Sequence, residues 1–510
     1  MKILDCTLRD GGYYTNWDFS SQIVDSYIDA VNKLPIDYIE VGYRSNSTNE
    51  YMGKFGYSPV SVLKHLRTRC TKKIVVMLNE KSTKPQDLDR LLTPIVGLVD
   101  MVRVAIDPTN FDRAVILAKS IKAFGFEVGF NVMYMSKWSE MGDFLTKLRV
   151  LDDFCDLFCM VDSFGGVMPE DVKRIYLTVK SNTSVPVGFH GHNNLQLGLI
   201  NTITAIDLGT DYVDATILGM GRGAGNLNME LLLTVLNKHY NYNVDFNVLG
   251  DVISAFTPLL EHYKWGTNLP YMIAGANKIP QKEVMDWVTN RVYSFNSIVR
   301  ALDNKKNQNV DNAQFPILKV TRKFDQVLVI GGGANAIEHI EAIKEYVNIH
   351  KDTAIVFATA RHAGEYIDLK ASKFYCLVGS ESRRLNQNVG ADKFDGICVL
   401  PPYPRTMGTD VPDYAIDSTF ELNNVFFTNE FKDSVTTIAI QLAIELTDGN
   451  VFMVGYDGYA GNILSEKEVA LTSENKAIFM DYSNFAKTSL KSLTPTIYKE
   501  LEVKSVYQYI

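Results

Sequence analysis

Between residues 1 and 240, eight short apolar runs alternate with amphipathic segments, and this alternation restricts the fold more than any other feature of the chain. The runs are Ile3–Leu8, Tyr38–Gly42, Ile74–Leu78, Met101–Ile106, Glu127–Val132, Leu157–Val161, Val185–His190 and Tyr212–Ile217. They are rich in Val and Ile and nearly continuously apolar, as strands buried on both faces must be. The intervening stretches have helical periodicity: in Ser21–Leu34 the apolar residues Ile23, Val24, Tyr27, Ile28 and Val31 share one face. Eight strand–helix units in this length predict an α/β protein with an N-terminal (β/α)8 TIM barrel. An open doubly wound sheet is the alternative.

From about residue 245 to 300 only helical signals follow, so the first domain is expected to span 1–300 with a helical appendage. Asp303–Gln314 is polar and aperiodic, which places a linker over 301–322. A second α/β pattern starts at Phe324 and predicts a Rossmann-like domain over 323–510. Its expected strands lie in QVLVIGGG, AIVFATAR, Phe374–Val378, Gly396–Leu400 and Val451–Val454. The 510 residues suit two or three such domains. Lys plus Arg at 51 against Asp plus Glu at 59 gives a net charge of −8, which argues against nucleic acid as a partner but leaves room for a local basic pocket. No apolar run is long enough for a membrane-spanning helix, and MKILDCTLRDGG enters a strand with no signal-peptide pattern. Six sparse cysteines without a CxxC pair read as reduced thiols, so a cytoplasmic location is expected.

Barrels of this kind carry their chemistry at the C-terminal ends of the strands. There the sequence places Arg9 and Asp10, then Glu40, Arg103, Asn131, Asp162 with Ser163, and His190 with His192. After the eighth run comes GMGRGAGN, ending at Asn226. His190 and His192 lie two apart on an extended segment and leave it on one face. Two imidazoles and a carboxylate, here Asp10, are a common donor set for a divalent metal with open positions. The competing reading of HxH is a pair of ordinary hydrogen-bonding loop histidines. No lysine stands at any of these strand ends, which argues against a Schiff base.

TLRDGG, IEVG, DSFGG, FHGHNN and GMGRGAGN, in this order over residues 1 to about 290, resemble the DRE-type metal-dependent TIM-barrel lyases and synthases. The nearest branch is that of 4-hydroxy-2-oxovalerate aldolase, related to HMG-CoA lyase. The resemblance implies metal ligation by Asp10, His190 and His192, with Asn226 as a weaker partner. It also implies Arg9 as the cation that stabilises an enolate oxygen. The metal expected is Mn2+ or Mg2+, with Zn2+ or Co2+ as alternatives. The reaction expected is reversible joining of pyruvate, or a similar 2-oxo acid, to an aldehyde by a homo-oligomer. Glu40 is expected to hold Arg9 or to carry a proton. Arg103, Asn131, Asp162 and Ser163 are expected around the substrate, with Asp162 equally suited to fixing a backbone turn. The aldolase branch has a histidine base just after LRDG, where this chain has Tyr13. GRGAGN also lacks the glutamate of the acyl-CoA synthases and the cysteine of the HMG-CoA lyases. Those acyl-CoA chemistries, and a metal-stabilised scaffold that works through its C-terminal domain, are the rival functions.

In the second domain Gly331, Gly333 and Ala336 form a GxGxxA turn between a strand and a helix, a pattern that lets backbone approach a phosphate. No acid follows at the end of the next strand; Arg361 stands there instead. That argues against NAD and for a phosphate, a carboxylate or a nucleotide of another kind; a Rossmann-like module whose glycines serve tight packing and which holds no ligand is the alternative.

Overall fold

The eight apolar runs become the strands β1 (Lys2–Asp5), β2 (Tyr38–Tyr43), β3 (Lys73–Asn79), β4 (Met101–Ile106), β5 (Glu127–Val132), β6 (Leu157–Asp162), β7 (Val187–Gly191) and β8 (Tyr212–Ala215). Each pairs in parallel with the next, and β8 returns to β1. The sheet is therefore a closed barrel, not an open doubly wound one. The structure is a computed structural model describing residues 1–289, 295–308, 313–379, 381–405, 410–459 and 466–510.

The chain forms two compact units, Met1–Val288 and Thr289–Ile510. In the first, the lower barrel interior is filled by Leu4, Tyr38, Val75, Met101, Leu157 and Tyr212. A larger core lies between the strands and the surrounding helices. The first strand is shorter than its apolar run, because the Thr7 N–H donates to Asp5 Oδ1 at 2.8 Å and the chain turns at once into helix α1 (Thr7–Thr15). TLRDGG is thus helical. Its glycines answer to close packing: a Cβ on Gly11 would lie 2.5 Å from Met220 Sδ, and one on Gly12 2.0 Å from the Trp17 indole. The appendage is the helices Phe246–Tyr263, Leu269–Ala276 and Gln281–Thr289. It braces the strand-end loops: Gln281 Nε2 donates to Asn194 Oδ1 at 2.6 Å, and Trp265 Nε1 to the Leu218 carbonyl at 2.9 Å.

The division at Val288 falls earlier than residue 300, and the stretch read as a linker begins inside a helix, Phe295–Lys306, of the second unit. Ile298 and Leu302 are buried on one face of that helix. The polar DNKK segment is its last turn, where lysines complement the negative end of the helix. Residues 309–312 of the expected linker lie outside the described residues.

The second unit is a parallel eight-stranded sheet of β9 (Phe324–Ile330), β10 (Thr353–Phe357), β11 (Lys373–Cys376), β12 (Ile397–Leu400), β13 (Thr419–Glu421), β14 (Thr447–Val454), β15 (Lys491–Ser492) and β16 (Glu502–Val503). The spatial order is β13-β12-β11-β10-β9-β14-β15-β16, so strand placement reverses beside β9. Val327 and Val329 of β9 join the core on one face of the sheet, and Leu328 and Ile330 the core on the other. All six cysteines are free and buried. Among the described residues no helix is long and apolar enough to cross a membrane.

Candidate active site

Helix α1 sits over the mouth of the barrel and presents Arg9 and Asp10 to the ends of β2 and β7. Asp10 Oδ2 accepts a hydrogen bond from Asn226 Nδ2 at 2.7 Å and lies 3.6 Å from His190 Nε2. His192, just past β7, bridges to Asn226 through backbone, and its Nδ1 is 2.8 Å from the Asp162 carbonyl oxygen. That contact leaves Nε2 as the second ring nitrogen. The two imidazole centroids are 5.0 Å apart. Asn226 is buried, and its Oδ1 has no hydrogen-bond partner among the described residues. Desolvation, followed by the neighbouring His190, holds His192 well below the ordinary histidine range, so its ring is neutral and able to donate a lone pair.

Beneath these groups runs a buried ionic network. Arg9 pairs through Nε with Glu40 and through Nη1 with Asp10. Arg103 donates to Glu40 Oε2 at 3.2 Å, to Asp214 Oδ2 at 2.8 Å and to Asn131 Oδ1. Asp214 Oδ2 also lies 3.0 Å from His190 Nδ1. His190 and Asp214 are register partners on β7 and β8, so both side chains enter the barrel at one level. Gly129 makes room for this layer: a Cβ there would lie 2.9 Å from Arg103 Cγ. The network's two guanidiniums face three carboxylates, a balance of −1 inside the protein. Asp214 was missed in the sequence, although one acid in the otherwise apolar run Tyr212–Ile217 was a signal.

Among the described residues, the set of three metal-type donors within 4.8 Å of one another is Cys6, His190 and Asp214, not Asp10 with the two histidines. Its chemistry suits a cation poorly. Burial pushes the Cys6 thiol well above its ordinary range, which keeps the sulfur protonated, and Asp214 is already paired with Arg103.

The remaining expected residues fall into two groups. Tyr13, on α1, places its hydroxyl 3.0 Å from that of Tyr43, and the Arg222 guanidinium lies 3.8 Å from its ring centroid. Desolvation raises Tyr13, but Arg222 and then Arg9 outweigh it, so the phenol is held below its ordinary range. Neither Tyr43 nor Arg222 was singled out in the sequence. Asp162 and Ser163 instead serve backbone. The Asp162 carboxylate accepts from the Gly166 and Val167 N–H groups at 3.3 Å each, and Ser163 Oγ accepts from Tyr134 N at 2.9 Å. Burial raises Asp162 to about 6. Arg103 and Asn131 are buried and joined to each other and to the network, while Arg103 Nε has no hydrogen-bond partner among the described residues.

In the second unit Gly331 and Gly333 follow β9 as expected, and Arg361 reaches back to that turn, donating to the Gly332 carbonyl at 3.1 Å.

Residues 103–254 match the HMGL-like family. A 4-hydroxy-2-oxovalerate aldolase of Carboxydothermus hydrogenoformans is 32% identical over 266 residues, which is 49% of this chain and 75% of that protein. One from Thermomicrobium roseum is 31% identical over 251 residues, 46% of this chain and 67% of its own length. An oxaloacetate decarboxylase of Mycobacterium tuberculosis is 27% identical, covering 46% and 70%. A crystal structure of the N-terminal domain of a candidate aldolase from Bacteroides vulgatus is 72% identical, with a TM-score of 0.57, and covers 59% of this chain and all of its own. With the motif residues gathered at the mouth of a closed parallel barrel, the chain belongs to the HMGL-like family of metal-dependent TIM-barrel lyases, in its 4-hydroxy-2-oxovalerate aldolase branch.

Proposed function

We propose that the barrel is a divalent-metal-dependent aldolase, a carbon–carbon lyase that reversibly joins the enolate of pyruvate, or of a similar 2-oxo acid, to an aldehyde. The observation that carries this reading is the donor set at the barrel mouth. Asp10, His190 and an unpartnered Asn226 amide oxygen lie together there, His192 stands beside His190, and the network to which Asp10 belongs has one negative charge in excess. Carboxylate, imidazole and amide donors of this kind suit Mn2+ or Mg2+. When bound, the cation supplies Lewis acidity at the 2-oxo oxygen.

The chain's own residues do the rest. Arg9, fixed by Glu40, holds a permanent positive charge beside Asp10, where negative charge develops as the C–C bond breaks. Glu40 acts by holding Arg9 and Arg103, since both of its oxygens are spent on guanidiniums. Asp214 orients His190 through Nδ1 and so aims Nε2 toward Asp10. Tyr13, near two arginines, takes the proton of the acceptor-derived hydroxyl on cleavage and returns it on synthesis. Arg103 and Asn131 act as positioning residues through the network they share, and Asp162 and Ser163 through the backbone N–H groups they accept from. We read the second unit as a Rossmann-like domain, a reading supported by its parallel sheet, the reversal of order beside β9 and the glycine turn after it.

Exchange of pyruvate methyl protons in D2O tests the core of the reading, because it reports the enolate without knowledge of the aldehyde. Chelator-treated protein is expected to lose the exchange and to regain it with Mn2+ or Mg2+, and His192→Ala to lose it outright. Undiminished exchange in metal-free protein overturns the proposal.

A further inference from the structure

The loop after β8, GMGRGAGN, supplies Asn226 to the donor set and brings a further cation, Arg222, to the barrel mouth. Beyond its pull on the Tyr13 phenol, that charge has no assigned task. Arg222 is half-buried, and among the described residues it forms no ion pair with a carboxylate. The acids of the site are already spent, Asp10 and Glu40 on Arg9, and Glu40 and Asp214 on Arg103. A guanidinium partly withdrawn from water is ordinarily met by acceptors and a counter-ion.

The structure fixes this cation in place. Gly223, at φ +61°, turns the chain directly after it, and the Gly223 carbonyl accepts from the Tyr14 hydroxyl of α1 and from the Gly266 N–H, both at 3.2 Å. A Cβ on Gly223 would lie 2.5 Å from Gln281 Oε1 and 3.0 Å from the Tyr271 ring, so the appendage closes directly on the loop. The Gly225 N–H donates to the Arg222 carbonyl at 3.1 Å. The guanidinium carbon lies 3.8 Å from the Tyr13 ring centroid. Tyr13 in turn packs edge-on against Trp17, with centroids 5.1 Å apart, and its hydroxyl bonds to that of Tyr43. A cation seated on a pinned backbone and an aromatic face loses little freedom when it binds an anion.

The neighbours say which anion. Arg9 already supplies permanent charge beside Asp10, at the donor set that takes the 2-oxo acid. Arg222 is stacked on Tyr13, the residue assigned to the hydroxyl derived from the acceptor. A group within reach of Arg222 therefore belongs to the acceptor half of the aldol, a few atoms beyond its carbonyl carbon. The charge also extends to His192, which desolvation, then His190, and then Arg222 hold low, so it lies within reach of the reacting centre.

We propose that Arg222 is the specificity-determining residue of the aldolase and that the acceptor is an aldehyde carrying an anionic group, a carboxylate or a phosphate, within a few atoms of its carbonyl. This rests on the aldolase reading of the barrel and names the substrate class within it. On synthesis, C3 of the pyruvate enolate bonds to the aldehyde carbon. The carbonyl π pair moves onto oxygen, which takes its proton from Tyr13. The anionic group stays unchanged on Arg222, so the product is a 4-hydroxy-2-oxo acid with a second negative group. Cleavage reverses these steps.

Aldol turnover of the full chain with Mn2+ or Mg2+ and pyruvate tests the proposal, with aldehydes taken in pairs: succinic semialdehyde against butanal, and glyceraldehyde 3-phosphate against glyceraldehyde. At least one anionic aldehyde is expected to exceed its neutral partner in kcat/KM by roughly 10- to 100-fold, and the pair that shows it tells carboxylate from phosphate. Arg222→Leu should bring that preference within about threefold of unity, and Arg222→Lys, which keeps the charge without the fork, should retain part of it. Any effect of Arg222 through Tyr13 bears on both members of a pair alike, so their ratio isolates the contact with the acceptor. Circular dichroism and thermal unfolding certify the fold of each variant. The proposal is overturned if the parent favours no anionic aldehyde, or if Arg222→Leu keeps the parent's preference. It is also overturned if Arg222→Leu raises the KM for pyruvate and leaves the ratio intact, which would give Arg222 to the donor. A parent that exchanges pyruvate protons yet fails these comparisons sinks this proposal alone, whereas a parent without exchange removes the aldolase reading and this proposal together.

Discussion

Tyr13 stands just after the LRDG segment, where the resemblance implies a histidine base, and two arginines change what a phenol can do there. An isolated tyrosine, of pKa ~10, is a poor base near neutrality. Here Arg222 stacks on the ring at 3.8 Å and, with Arg9, holds the hydroxyl below its ordinary range despite desolvation. Tyr13→Phe is expected to reduce aldol turnover by roughly 10²-fold, the usual worth of a general acid–base group. Pyruvate proton exchange should fall less, because Arg9 remains. Near-normal turnover in the variant, at unchanged metal content, would assign the proton to water instead. Asp214 supports a separate expectation. Asp214→Asn keeps the shape but loosens the hold on His190 Nδ1, so metal affinity measured by direct titration should drop by roughly 10- to 100-fold. An unchanged metal affinity would leave Asp214 a purely structural partner of Arg103. Arg9, Asp10 and His190 were legible in the sequence because each lies in a motif whose residue types are unusual at a strand end. Asp214 and Arg222 were not, since their importance comes from strand register and ring stacking, which pair residues distant in the chain.

At the level of elements, the β1–α1 turn shows what an apolar run hides. Ile3–Leu8 reads as one strand, yet Asp5 ends it by accepting from the Thr7 N–H and from the Tyr27 hydroxyl at 2.6 Å. Its other oxygen is buried without a partner, and burial raises the carboxyl from 3.8 to about 6 against the pull of those hydrogen bonds. A folded-state pKa above the unfolded one means that the native state binds the proton more tightly. The associated stability is fully present below 3.8 and is lost as pH rises through about 6. Asp5→Asn removes this dependence. Relative to the parent, the variant should gain stability between pH ~4 and ~6 and level off above ~7, by at most about 3 kcal/mol. Chemical denaturation across that range checks it, and parallel pH profiles would contradict the buried-acid account. The long strands were legible because continuous apolar runs leave little choice, whereas β13, β15 and β16, of two or three residues, carry too little pattern to detect. The helix Phe295–Lys306 was half-hidden because its buried residues precede a polar last turn that resembles a linker.

For the whole molecule the question is whether each unit stands alone. The barrel closes on itself, and its appendage hydrogen-bonds to its own strand-end loops through Gln281, Tyr271 and Trp265. Every residue proposed for the aldolase chemistry, from Arg9 to Asn226, lies within Met1–Val288. The crystallised Bacteroides vulgatus domain, 72% identical, covers 59% of this chain and so corresponds to a piece of similar extent. A two-sided parallel sheet with cores on both faces gives the second unit the means to fold by itself. The fragment Met1–Val288 is therefore expected to fold cooperatively and to exchange pyruvate methyl protons in the presence of Mn2+ or Mg2+ within about threefold of the full chain, a difference of under ~1 kcal/mol. Thermal unfolding of the full chain should resolve into two transitions, only one of which moves when divalent metal is added, because ligand binding stabilises the unit that holds the site. A single transition that shifts as a whole with metal, together with an inactive fragment, would mean that the barrel needs its C-terminal neighbour to reach its working structure.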